Sequence, residues 1–209
     1  MLGEGSHWWI TSSSDSHVHY TEGRSDFWPS EYSKTYIYAE KDYDDILDNF
    51  RKGHVFVTTG DLISELYVTL SVNNKEQTAS IGDTLMVDAG DTVKVEIKFL
   101  DPNSKNARFE NPEVSHVDII TGKVMGLLAD KSIDTNPTTQ VVGRYYQDNW
   151  QQDKQYRVIS YTMENVIQNI YIRVRGTNTE QLEPETDQRG ENPWSDLWFY
   201  SNPIFIQVK

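Results

Sequence analysis

The chain has 209 residues, no cysteine, and a formal net charge of −13 from 19 Lys and Arg against 32 Asp and Glu. That charge argues against nucleic acid or an anionic membrane as partner, since both demand clustered cations. The missing thiols exclude disulfides, thiolate catalysis and cysteine-based zinc sites.

Hydrophobic residues make up 37% and aromatics 12%, a globular composition with room for one or two domains. Met1-Leu2-Gly3-Glu4-Gly5 lacks the basic stretch and apolar run of a signal peptide, and no segment reaches the ~20 apolar residues of a membrane helix. The compartment stays open, as does whether Met1 is a natural start.

Trp8-Trp9-Ile10-Thr11 reads as a short strand running into the polar stretch Ser12 to His17. Thr35 to Ala39 is a second strand candidate. One helix follows: Asp42 suits its N-cap, Tyr43, Ile46, Leu47 and Phe50 recur with helical spacing, Arg51 and Lys52 complement its last turn, and Gly53 fits the left-handed cap. His54 to Thr58 reads as a strand directly after it. Strand, helix and strand together are an α/β signature.

From Leu66 the period becomes two. Leu66, Val68 and Leu70 alternate with polar residues, and Val93, Val95, Ile97 and Phe99 do so more strictly. Further strand candidates are 116–121, 140–147, 156–163, 169–175 and 197–208, the last interrupted by Asn202-Pro203. Short strands, frequent turns and little helix indicate a β-sandwich. Residues 184–193 form a polar loop. The boundary falls near Thr59-Gly60-Asp61, dividing the chain into 1–65 and 66–209.

Asp15-Ser16-His17 is the first candidate for chemistry. In an extended segment a carboxylate and an imidazole two residues apart point the same way, and His19 continues that parity. Convergent O and N donors are what a divalent ion needs. An Asx-type turn with exposed histidines is the plainer reading of these residues by themselves.

Ser14-Asp15-Ser16-His17, Gly23, Pro29, Tyr36-Ile37-Tyr38, the helix to Gly53 and Val55-Phe56-Val57-Thr58-Thr59-Gly60 together resemble the end of a polymerase-and-histidinol-phosphatase (PHP) domain. Tyr171 to Asn178 and Asn192 to Ile206 are similar to the closing segments of the β-rich extension found in one branch of that superfamily. The resemblance implies a mostly β, α+β chain: the tail of a PHP-type α/β barrel over 1–65, then a β-sandwich over 66–209. It implies that Asp15 and His17 are metal ligands, with His19 as a further candidate, for divalent ions of the Zn, Mn or Fe class. Val18 stands where the family often has Gly. The family's remaining ligands come from earlier barrel strands, beginning with a His-x-His motif, so this chain would hold too few donors to hydrolyse a phosphoester alone. In the complete protein the substrate would be a small-molecule phosphoester. No catalytic residue is assigned, and the substrate itself stays open.

Other residues have plainer readings. His7 suits an aromatic cluster with Trp8 and Trp9, His54 a structural position, and His116 an exposed or hydrogen-bonded one. Arg173 and Arg175 share one strand face and suit cross-strand pairing with Asp or Glu more than anion binding. Trp194, Trp198, Phe199 and Tyr200 suit a core more than a sugar-stacking platform. Two other functions remain open: a non-catalytic sandwich binding carbohydrate or protein, and a structural domain pairing subunits into a homo-oligomer.

Overall fold

A computed structural model describes residues 1–14, 16, 27–130, 132–182 and 192–209. After a 3-10 turn at Leu2–Glu4, the described residues form strands β1 Ser33–Ile37, β2 Val55–Thr59, β3 Glu65–Val72, β4 Thr78–Ser80, β5 Thr84–Val87, β6 Asp91–Leu100, β7 His116–Lys123, β8 Gln140–Tyr146, β9 Gln151–Asp153, β10 Tyr156–Val166, β11 Ile170–Thr177, β12 Trp198–Ser201 and β13 Ile204–Val208. One helix, α1 Tyr43–Lys52, lies between β1 and β2.

The strands make two sheets. The smaller runs β4-β3-β6-β10-β9, all antiparallel. The larger runs β1-β2-β12-β11-β13-β5, with β7 pairing the other edge of β11 and β8 pairing β7. Among the described strands only β13 and β5 pair in parallel. The chain is β-rich and its sheets are open.

Period-two patterning places the core. Leu66, Val68, Leu70 and Val72 on β3 are buried, as are Val93, Val95, Ile97 and Phe99 on β6, while their neighbours face water. They meet Phe56, Val117, Ile119, Ile172, Val174, Phe199, Ile204 and Ile206 from the larger sheet. Each such side chain stabilises by about 1.5–3 kcal/mol relative to exposure. Truncating one, as in Leu70→Ala, costs about 3 kcal/mol.

The N-terminal strand–helix–strand unit differs from the α/β expectation. β1 and β2 flank α1 but pair antiparallel, Ser33 opposite Thr59 and Ile37 opposite Val55. A barrel unit would bring its two strands parallel through the helix. β2 then pairs β12, so residues 33–59 share a sheet with the C-terminal strands.

The segment 197–208 behaves as the Asn202-Pro203 pair implies. β12 covers residues 175–177 of β11 and β13 covers 170–172. Opposite the break, the Val174 N–H donates to Ser201 Oγ at 2.8 Å, so that backbone donor is not left unpaired. Trp8 to Thr11 is not a strand. It lies across the larger sheet and is held there by side-chain bonds rather than by a backbone ladder.

Candidate functional site

The outer face of the larger sheet, turned away from the core, carries the polar residues that the strands bury. Register places Arg144, Asp118, Arg175, Tyr200, Val57 and Thr35 in one row across β8, β7, β11, β12, β2 and β1. The row beside it holds Tyr146, His116, Thr177 and Trp198.

Asp118 is fully enclosed and takes hydrogen bonds from two guanidinium groups. Arg144 reaches it with Nε at 2.7 Å and Nη2 at 2.9 Å, a two-point fork, and Arg175 does so with Nε at 3.1 Å and Nη2 at 3.0 Å. Burial pushes the Asp118 carboxyl up, but the two arginines outweigh it and hold it below the usual carboxylate range. It is therefore a fixed anion and no proton donor. The Arg175 guanidinium also lies 5.7 Å from the Trp198 ring. His116 is buried beside this group, and its Nδ1 lies 3.1 Å from the Thr179 carbonyl, which can only accept, so Nδ1 carries the hydrogen. Burial lowers the His116 pKa, with Asp118 opposing and Arg144 reinforcing that effect.

The N-terminal segment crosses this face as a strap. Gly3 accepts from Met125 N at 2.7 Å, and the His7 ring stacks on Phe205 at 4.4 Å. The Trp9 indole donates to the Arg51 carbonyl at 2.8 Å. Ile10 N donates to Asn202 Oδ1 at 2.7 Å, and the buried Asn202 donates onward to the Gly53 carbonyl at 3.1 Å. Ser12 N donates to Thr35 Oγ1 at 2.8 Å, and that hydroxyl donates back to Ser12 O at 2.9 Å. The strap thus ends on Thr35, in the row of Asp118 and Arg175.

Asp15, His17 and His19, the metal ligands expected from sequence, lie outside the described residues, as does most of the 184–193 loop. The strap that leads to Asp15 is pinned up to Ser12. Nearby, Phe27 stacks on Tyr32 at 4.5 Å, Trp194 packs edge-on to both, and the Tyr32 hydroxyl donates to the Pro193 carbonyl at 2.7 Å. Lys34 is paired with Asp61. Among the described residues no three His, Asp or Glu side chains converge on a point that could hold a metal ion.

The remaining sequence candidates resolve as follows. Arg175 makes the cross-strand pair with an acid, and Asp118 is that acid. Phe199 is core and Trp198 is buried on the outer face, so neither offers a sugar platform. His54 is structural, bridging Asn49 Oδ1 at 2.7 Å and Asp83 Oδ1 at 3.0 Å. His7 joins the aromatic contacts foreseen for it, with Trp9 rather than the exposed Trp8.

The Asp118–Arg144 pairing was missed in sequence. Its signal was present: His116 and Asp118 fall at alternate positions of an otherwise apolar strand, so both occupy one face. No family model matches the chain, and no curated protein or solved structure matches it.

Proposed function

We propose that the chain is the C-terminal part of a metal-dependent phosphoesterase-type hydrolase of the PHP superfamily. In this reading residues 1–65 are the tail of the catalytic domain and the sandwich braces it. Asp15 and His17, with His19 as a further donor, contribute to a cage of divalent ions whose other ligands lie outside this chain. Metals of that class would activate water and neutralise the leaving oxygen of a phosphoester.

The observation that carries the reading is the apolar face of α1. The helix is fully capped: Asp42 accepts from Asp44 N and Asp45 N, and Gly53 closes it at φ 78°. Yet Tyr43, Ile46 and Phe50, one face at i, i+3 and i+7, are exposed, and no residue of the helix is buried. A helix with a built apolar stripe that the described residues cover only in part fits a unit whose cover is another domain.

Zinc or manganese titration followed by calorimetry tests the site. The chain should bind one equivalent weakly, since two or three donors are fewer than the four or more of a closed site. The variant Asp15→Asn with His17→Asn should lose that binding while keeping its unfolding midpoint. Equal binding by the variant and the parent chain would remove the ligand assignment, and the hydrolase reading with it.

A further inference from the structure

The geometry points to a second, independent site: a preformed cleft at one end of the sandwich that takes a neutral oligosaccharide. The cleft has a volume of about 520 Å3 and lies between the β6–β7 connection, the turn after β8, and the start of β10. Asp101, Asn103, Asn111, Glu113, Trp150 and Arg157 line it. A more open hollow continues from Asn111 and Glu113 past Tyr146 to Asn178.

Three observations carry the assignment. First, the walls are held rigidly. Asp101 Oδ2 accepts from Val114 N at 3.1 Å, Gln147 Nε2 donates to Val114 O at 2.9 Å, and the buried Asn106 donates to Gly60 O at 3.3 Å and accepts from Arg108 N and Glu110 N. A pinned loop loses little entropy when a ligand arrives.

Second, four of the side chains that line the cleft are unspent. Asn103, Asn111, Glu113 and Arg157 make no side-chain hydrogen bond or close ion pair with any described residue. The Trp150 indole N–H also lacks an acceptor among the described residues, but that atom is enclosed, so Trp150 lines the cleft without offering it a donor. Trp150 packs edge-on to Phe99 at 5.2 Å, which fixes the ring as an apolar wall.

Third, the charges select against ions. Asp101 and Glu113 repel phosphate or sulfate, while Arg157 repels a metal ion, and no metal-binding trio exists among the described residues. Burial holds the Asp101 carboxyl above its ordinary range, against the Val114 N–H. What such a wall suits is a molecule that both donates and accepts everywhere and has apolar C–H faces. Sugar hydroxyls and ring faces meet that description.

The test uses the 15N-labelled full chain, whose six tryptophans give six indole N–H resonances, with Trp150→Phe assigning its own. Probes are neutral trisaccharides of gluco, xylo and manno type. The Trp150 resonance should shift saturably with at least one probe. Asn111→Ala and Glu113→Gln, both surface changes that leave the fold intact, should each weaken that binding about three- to tenfold, the value of one hydrogen bond. No saturable shift with any probe, or an equal response in both variants, would overturn the site. So would saturation by inorganic phosphate or calcium in place of sugar.

Discussion

At the scale of single residues, the most constrained group is Asp118. It is fully enclosed, and its charge is matched only because Arg144 and Arg175 reach it. Asp118→Asn should lower stability by about 3 kcal/mol, because it leaves buried guanidinium charge without its anion; the urea midpoint reads this directly. The pH dependence has a definite sign. Asp118 titrates below its ordinary value in the folded chain, so its contribution is present above about pH 4 and is lost as pH falls through the lower folded value. His116 acts in a higher window. Its folded pKa is lowered, so the unfolded chain takes up the proton first and stability declines as pH drops below about 6.5. Asp118, Arg144, Arg175 and Tyr146 are the groups around it. His116→Gln should flatten the stability slope between pH 7 and 5 and leave the acid-range slope of Asp118 in place. These residues show what the sequence conveys at this scale. That Arg175 would meet an acid was legible from strand parity. Which acid, and the second arginine from β8, depended on two strand pairings that join residues 57 and 26 positions apart in a chain rich in Asp and Glu. The cleft beside Trp150 left no periodic trace, because loops and strand ends build it.

At the scale of elements, α1 is the clearest case of local sequence deciding structure. Its caps and stripe were readable in full, and the bounds Tyr43–Lys52 follow from them. Two glycines fix its surroundings. Gly53 at φ 78° approaches the Trp9 ring so closely that an added Cβ would clash, and Gly82 at φ 90° lets the β4–β5 turn sit against the helix end. Gly53→Ala therefore meets both the left-handed strain and the indole, whereas the exposed stripe carries little of the stability of this chain. Ile46→Gln with Phe50→Gln should change the unfolding free energy by less than about 0.5 kcal/mol each, the range for surface positions. Asp42→Ala, by contrast, should cost about 1 kcal/mol. Thermal and urea unfolding of the three variants checks the ordering. A large loss from the stripe variant would mean that α1 is already covered, and would take away the chief support for the proposed hydrolase reading. The strand pattern was equally legible for β3 and β6, whose buried positions follow the period of two. It did not extend to the pairing of β1 with β2, because the same strand–helix–strand string serves a parallel or an antiparallel pair. The edge strands β4, β5 and β9 also escaped notice, being only three or four residues long.

At the scale of the whole molecule, the decisive contact is β2 with β12. Through it, a segment from the first third of the chain enters the sheet that holds the C-terminal strands, and Phe56 enters the same core as Val95, Ile97 and Phe99. Sequence composition changes near residue 65, but periodicity reports only local burial and says nothing about which strand lies alongside. One core predicts one cooperative transition. Phe56→Ala on β2 and Ile97→Ala on β6 each remove a fully enclosed core side chain and should cost about 3 kcal/mol. Both should move a single unfolding curve, with far-ultraviolet circular dichroism and tryptophan fluorescence coinciding throughout. If residues 1–65 instead unfolded as their own unit, Phe56→Ala would shift an early transition and leave a later one at its original midpoint. The hydrogen-bonded register, Ser201 opposite Phe56 and Tyr200 opposite Val57, argues against that second outcome. Releasing β2 would strip β12 of its neighbour and open the outer-face row that ends at Thr35, so the strap and the charged cluster should melt in the same step as the core.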